Sequence, residues 1–236
     1  MRLSVVVPAL DEAGTLDDAL RRLARRSDVV EVLVIDASRD REAAAFYTRC
    51  GSPAPELVER GWRFVGALAP GRARQMNLGA ALASGDMFLF LHADTCLPDE
   101  DLRNLLGPAH RAQGWGRFDV RLDTNRWWAA AIATAMNLRS ATTGICTGDQ
   151  GLFVSRVAWQ THGGFEDIPL MEDIEFSRRM KRLRPPLRVR RPVTTSARRW
   201  LRHGVCRTIL LMWTLRLLYG LGVAPDRLAR MYRDAR

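Results

Sequence analysis

The sequence predicts an α/β fold: a mostly parallel sheet flanked by helices, followed by a basic and aromatic helical extension. Three observations carry this expectation. The runs "LSVVVPA", "VEVLVIDAS" and "MFLFLHADT" are apolar almost throughout, as strands buried on both faces must be. Helix-period patterns separate them, as the crossovers of a parallel sheet require. Asp36 and Asp94 fall just past two of these runs, at the edge where such sheets place their ligands.

Taken in order, the first run is β-branched and stopped by Pro8. After it Leu16, Ala19, Leu20, Leu23 and Ala24 recur on one helical face. The second strand ends in Asp36. Beyond a Pro/Gly-rich passage, "RFVGAL" reads as a weaker strand, and a helix over 73–83 leads through Gly85 to the third apolar run. The second half is less regular. There "GWGRFDVRLD" reads as a half-exposed strand and "GLFVSR" as another strand. "MEDIEFSRRMKRL" reads as a helix with Phe176, Met180 and Leu183 inward.

At 236 residues, with 47% hydrophobic and 26% charged residues, the chain is a folded globular protein near the upper end of single-domain size. Its charge of +10 raises the question of nucleic acid, yet among 36 basic residues only Lys181 is lysine. Such an arginine bias also follows from genome base composition. The distribution is more telling: no acidic residue occurs from Phe176 to Pro225, a segment with thirteen basic residues between Arg178 and Arg216. That field suits phosphates or an anionic membrane face, and equally a solvated, partly self-paired surface. Cys50, Cys96, Cys146 and Cys206 form no CxxC pair, so free thiols in a reducing cytoplasm are expected. "RLSVVVPAL" runs too quickly into Asp11 and Glu12 for a signal peptide. No segment approaches the ~20 apolar residues that span a bilayer.

Each candidate site residue has a plain structural reading beside its chemical one. Asp94 in "HADT", two residues after His92, is a hard carboxylate able to hold a divalent cation on a diphosphate; alone, it is a turn or helix cap. Asp36 in "VIDASRD" suits a ribose or base, or simply organises a turn with Ser38. "GRARQMN" places Arg72, Arg74 and Asn77 before a helix, polar groups fit for a nucleotide or for solvent. Asp149 and Gln150 stand between glycines in "TGDQG", which permits close approach of a bulky ligand. Glu172 and Asp173 sit at a helix start, where carboxylates also stabilise the dipole.

The order of these segments is more specific than any one of them. "VVVPALDE", "VIDASRD", "LFLHADT", "GDQGLFV" and "GGFEDIPLMEDIEFSRRM" together resemble the GT-A glycosyltransferases of family 2, over roughly residues 3–183. The series "GRARQMN…HADT…GDQG…LMED…SARRW" looks like a small bacterial subgroup, some of whose members carry carotenoid glycosyltransferase names. The resemblance implies a Rossmann-like GT-A catalytic domain over 1–192, its nucleotide-binding half to about 98 and its acceptor half from 99. A helical extension over 193–236 would follow. It also implies that Pro8, Leu10 and Glu12 border a nucleotide-sugar, that Asp36 meets the uracil of a UDP donor, and that Arg72 and Asn77 line the same site. His92, Ala93 and Asp94 match the DxD motif, with Asp94 holding Mg²⁺ or Mn²⁺. Asp173 matches the catalytic base and Glu172 its neighbour. Asp149, Gln150, Arg199 and Trp200 fall on the acceptor side. Two departures stand out: His92 replaces the first acid of DxD, and Ser196 replaces the glutamine of QxxRW.

The implied reaction is a single inverting displacement, with Asp173 taking the acceptor proton. The acceptor is unnamed, with a hydrophobic or lipid-linked one suited to the tail "SARRWLRHGVCRTILLMWTLRLLYGLGV". That tail reads as a helix packed on the domain or on a second subunit, or as an amphipathic element at the inner face of the plasma membrane. Trp127, Trp128 and the alanines after them read as an apolar acceptor wall or as core. The rival enzyme is a nucleotidyltransferase. A nucleic-acid-binding module is the rival outside enzymes, motivated by charge alone and lacking a recognition motif.

Overall fold

A computed structural model describes residues 2–11, 13–38, 61–107 and 114–234. Glu12 and Cys50 lie outside them. In chain order the elements are β1 (Leu3–Ala9), α1 (Ala13–Ala24), β2 (Glu31–Asp36), β3 (Arg63–Gly66), α2 (Arg72–Leu82), β4 (Met87–Phe90), β5 (Thr95–Cys96) and α3 (Leu102–Leu105). Then come β6 (Trp115–Leu122), α4 (Trp127–Thr143), a 3₁₀ turn (Gly148–Gln150), β7 (Leu152–Ser155), α5 (Arg156–His162) and α6 (Glu172–Lys181). The chain continues through β8 (Leu187–Thr195), α7 (Arg198–His203), α8 (Val205–Gly220) and α9 (Pro225–Asp234).

The strands form one sheet in the order β3-β2-β1-β4-β7-β6-β8-β5. β3, β2, β1 and β4 are parallel; β7 then runs antiparallel to both β4 and β6, and β6 and β8 are again parallel. All seven residues of β1 are buried because the sheet is covered on both sides. Val5, Val7 and Leu89 meet Leu16, Leu20 and Leu23 of α1, while Val6, Ile35 and Phe90 meet Met76 and Ala80 of α2. This alternation is the period of two of a strand. α2 lies so close that a Cβ on Gly79 would stand 2.3 Å from Val6 Cγ1.

Three details differ from the sequence reading. "GWGRFDVRLD" is not half-exposed: β6 is buried at every position except Arg121. Its charges are absorbed internally, with Arg117 bonded to Asp119 and Asp119 also holding Arg188 at 2.8 Å. Asn137 of α4 adds two hydrogen bonds of 2.9 Å to the Val120 backbone. Leu183 is 52% exposed, because α6 ends at Lys181, before Pro185 and Pro186. The division at 192 falls inside β8, so the helical extension begins after Thr195. That extension packs on the α/β body: Leu215 and Leu228 are fully buried against Met171 and Ile174.

At the amino edge of the sheet, Glu31 joins three segments. Ser4 Oγ bonds one of its oxygens, which also accepts from the Ser84 N–H at 2.8 Å, and Arg63 lies 2.6 Å from the other. Burial works against the charge, but these hydrogen bonds outweigh it and hold the carboxyl below its ordinary value of 4.5. The unfolded chain therefore binds the proton first, and Glu31's contribution, present above pH 4.5, disappears as pH falls through the lower folded value. Urea midpoints measured against pH should show Glu31→Gln less stable than the parent at pH ~7, where the group is ionised. The gap should shrink below pH 4.5. A gap independent of pH would contradict the assignment.

Candidate active site

β4 delivers its loop to the site by pairing antiparallel with β7, Phe90 opposite Leu152. Segments 92–94 and 148–150 are thereby neighbours. Ala93 is buried in the core and anchors its loop, while the Thr95 N–H closes a turn on the His92 carbonyl at 3.0 Å. Thr95 Oγ1 also bonds Thr195 Oγ1 at 3.1 Å, tying this loop to β8. The turn aims Asp94 toward the extension. Burial pushes its carboxyl above the ordinary range, against the pull of Arg198 and Arg199 and with the repulsion of Asp149.

His92 packs against the 3₁₀ turn: a Cβ on Gly148 would lie 2.4 Å from Nε2. That nitrogen is buried and has no hydrogen-bond partner among the described residues. Burial, then the charge of Arg72, push the imidazole down to about 3, so it is neutral at pH ~7. It has no proton to give as an imidazolium. Across the turn, the Gly148 N–H donates to Asp173 Oδ2 at 3.0 Å. Asp173 Oδ1 accepts from the Ile174 N–H at 2.8 Å, so one backbone donor fixes each oxygen and lone pairs remain.

α6 presents this acid from a strained start. Met171, just before it, has φ 72°, an unusual left-handed conformation for a bulky residue, and its side chain is held by Leu215 and Leu228. Glu172 is buried, its Oε1 lying 3.4 Å from Arg72 Nη1. Burial raises this carboxyl while Arg72 pulls it down and Asp173 raises it further. The Arg72 side chain is two-fifths exposed, and its guanidinium feels Glu172 first, then Asp173, Tyr232 and Asp149. Arg199 lies over the Tyr232 ring at 5.9 Å. Asp94, Asp149, Glu172, Asp173, His92, Arg72 and Arg199 thus share one electrostatic neighbourhood, closed on one side by α9.

Asp36 stands on the same carboxyl edge, two strands away from β4, about 10 Å across the sheet. Its Oδ1 accepts from the Ser38 N–H and Oγ, whereas Oδ2 is buried with no partner among the described residues. Such an orphaned oxygen suits a donor on a ligand. Leu10 is 43% exposed beside it; Pro8 is buried within β1.

Three expected site residues are used otherwise. Both ends of the Asn77 amide are taken up by the Phe165 backbone, at 2.8 and 2.9 Å, so it clamps the 163–165 turn instead of facing a nucleotide. Gln150 is fully buried, its oxygen accepting from Ser140 and Thr147, and it fastens the 3₁₀ turn to α4. Trp200 packs against the cluster of Leu122, Ala129, Ile132 and Ala197. Two residues went unnoticed in the sequence. Gln75 donates to the Ala9 and Ile35 carbonyls at 2.7 Å, stitching β1 to β2 beside Asp36. Arg139, a lone cation on an apolar helix, was the one available signal: burial and Arg216 push it down to about 10, and its Nε is unpartnered among the described residues.

No group of three metal-ligating side chains occurs among the described residues. Asp94 is a dehydrated carboxylate on an open edge, and a cation there fits if diphosphate oxygens and water complete its shell.

The sequence profile of "Glycosyl transferase family 2" matches residues 4–154. Among curated proteins none matches. The fold is similar to TarS of S. aureus (TM-score 0.63, 15% identity, 89% of this chain and 39% of that one). It is also similar to the mannosyltransferase PcManGT of Pyrobaculum calidifontis, solved with GDP-Man and Mn²⁺ (0.58, 19%, 83% and 56%). A TarS 1–349 structure in complex with UDP gives 0.62 at 13% identity, over 83% of this chain and 60% of that one. The chain therefore spans about two- to three-fifths of the length of these structures.

Gly148→Ala should drive its methyl into His92 and cost about 1–3 kcal/mol by overpacking. Combined with His92→Ala, the loss should be much smaller than the sum of the two, because the obstructing ring is gone. Additive losses in a denaturation cycle would contradict this packing.

Proposed function

The chain belongs to glycosyl transferase family 2, and on that premise we propose an inverting glycosyltransferase that moves a sugar from a UDP-linked donor to an acceptor hydroxyl. One observation carries the reading: the turn that packs on His92 also donates to Asp173, so the base and the Asp94 loop form one rigid unit. Asp173 would accept the hydroxyl proton as that oxygen attacks the anomeric carbon from the face opposite the leaving group. Its two backbone bonds hold the carboxylate in place without consuming all its lone pairs. Glu172 is withdrawn into the core, so it positions Arg72 and does not reach the acceptor. Arg72 and Arg199 would neutralise the departing diphosphate, and Asp36 would hold the base through its free oxygen. Asp94 would hold Mg²⁺ or Mn²⁺, which when bound adds charge stabilisation to the leaving group.

The UDP bound to a TarS structure and the GDP-Man and Mn²⁺ bound to PcManGT support the nucleotide-diphosphate class of donor and the metal. In this reading the body through Thr195 is the catalytic domain and the remainder an extension that shapes the acceptor side. An open surface depression there, about 480 Å³, is lined by Asp123, Thr124, Ser196, Arg198, Leu201 and Arg202. Its mixed polar and apolar wall suits a hydrophobic or lipid-linked acceptor, met at the cytoplasmic face of the membrane.

Asp173→Asn should lower turnover by about 10²–10⁴ while leaving nucleotide binding intact. A near-parental rate would remove Asp173 from the base role. In a thermal-shift screen, a nucleotide sugar at about 100 times its Kd should stabilise the protein by roughly 2.7 kcal/mol. That shift should be larger with Mn²⁺ and should lose its metal dependence in Asp94→Asn. Stabilisation by nucleoside triphosphates alone would favour the nucleotidyltransferase.

A further inference from the structure

We propose that the outward faces of α4 and α8 form a docking surface for an anionic lipid bilayer. α8 is apolar on the side that packs inward, through Leu211 and Leu215, and apolar again on the side that faces out. Leu210, Trp213, Leu217 and Leu221 are 67, 72, 64 and 72% exposed. Their spacing of three, four and four places them on a single stripe. A surface helix with its polar face replaced by leucine and tryptophan is unpartnered as it stands.

α4 repeats the pattern. Each of its exposed residues is Trp, Ala, Thr or Leu, with Trp127 87% and Leu138 62% exposed. α4 and the start of α8 border one cluster: Trp128 and Met136 of α4, Trp200 of α7 and Val205 of α8 all pack against Leu122, Ala129, Ile132 and Ala197. At about 24 Å, α8 is too short to cross a bilayer but long enough to lie along one. None of the described helices is long and apolar enough to span a membrane.

Charge selects the occupant. No acid occurs between Asp123 and Asp149, nor between Glu175 and Asp226, the stretches that contain both helices. Arg126, Arg202 and Arg207 are exposed around them. A two-fold dimer through this face would set the same patch against itself, arginine opposite arginine, with no carboxylate in either stretch to pair them. An anionic leaflet instead presents negative headgroups to the arginines and hydrocarbon to the stripe, with tryptophans at the boundary.

The test is sedimentation of the intact protein with vesicles of phosphatidylcholine alone or with about 30% phosphatidylglycerol, a fraction chosen to give appreciable negative surface potential. Partitioning should favour the anionic vesicles by about tenfold or more and weaken in high salt. The double variant Trp213→Glu/Leu217→Glu should lose binding yet keep the parental circular dichroism and nucleotide thermal shift. Should that variant misfold, Arg126→Glu/Arg202→Glu serves instead, and should lose the preference for anionic over neutral vesicles. Absence of vesicle binding by the parent at any salt would overturn the proposal. So would a dimer in sedimentation velocity that Trp213→Glu/Leu217→Glu dissolves without any lipid binding. Neither readout needs donor or acceptor, so this surface and the glycosyl-transfer reading stand or fall separately.

Discussion

The antiparallel pairing of Phe90 with Leu152 sets the terms for everything at the carboxyl edge. Up to β4 the sheet is parallel, and α1 after β1 and α2 after β3 return the chain from that edge to the other. β7 enters from the opposite direction, so the turn before it lies beside the loop after β4, though 50 residues and more separate them in sequence. Gly148 then has no room for a side chain against His92, and its N–H is left to orient Asp173. From Asp173 the chain of contacts runs through Glu172 to Arg72 at the head of α2. One strand reversal thus draws a β-loop, a 3₁₀ turn and two helix N-termini into a single site.

The site is held at some cost in electrostatic comfort. Asp94 and Glu172 are carboxyls raised by burial, His92 is a neutralised imidazole, and Arg139 has a nitrogen unpartnered among the described residues. Buried groups left in this state are destabilising unless something binds them. Elsewhere the same protein satisfies buried charge fully, as in the Arg117–Asp119–Arg188 group within β6 and β8. The contrast separates charges that hold the sheet together from the groups gathered at the proposed site. The strained backbone at Met171 belongs to the second group, since it aims the helix that carries Asp173.

Much of this was legible in the sequence. Uniformly apolar runs can only be doubly covered strands, so β1, β2 and β4 and the acids beyond them could be placed directly. The order of short segments around Asp36, Asp94, Asp149 and Asp173 identified the family that the profile match confirms over 4–154. What could not be read was how polar residues are used. Asn77 and Gln150 look like ligand contacts in one dimension, yet each closes a backbone gap between elements distant in sequence. Arg117, Asp119 and Arg121 alternate as an exposed strand face would, but Arg117 pairs with Asp119, and Asp119 also pairs with Arg188, which β8 places opposite Arg117. Pairing across the fold is invisible to periodicity. The extension was ambiguous for a related reason: α8 is apolar on both sides, and only the structure tells which side Leu215 occupies.

The most direct measurement is anomalous diffraction from crystals soaked with UDP and Mn²⁺. The expected result is a manganese peak at the Asp94 carboxylate, the diphosphate between Arg72 and Arg199, and the uracil at Asp36 Oδ2. Nucleotide density away from the carboxyl edge of β1, β2 and β4, or manganese bound only at other acids, would contradict the site described here.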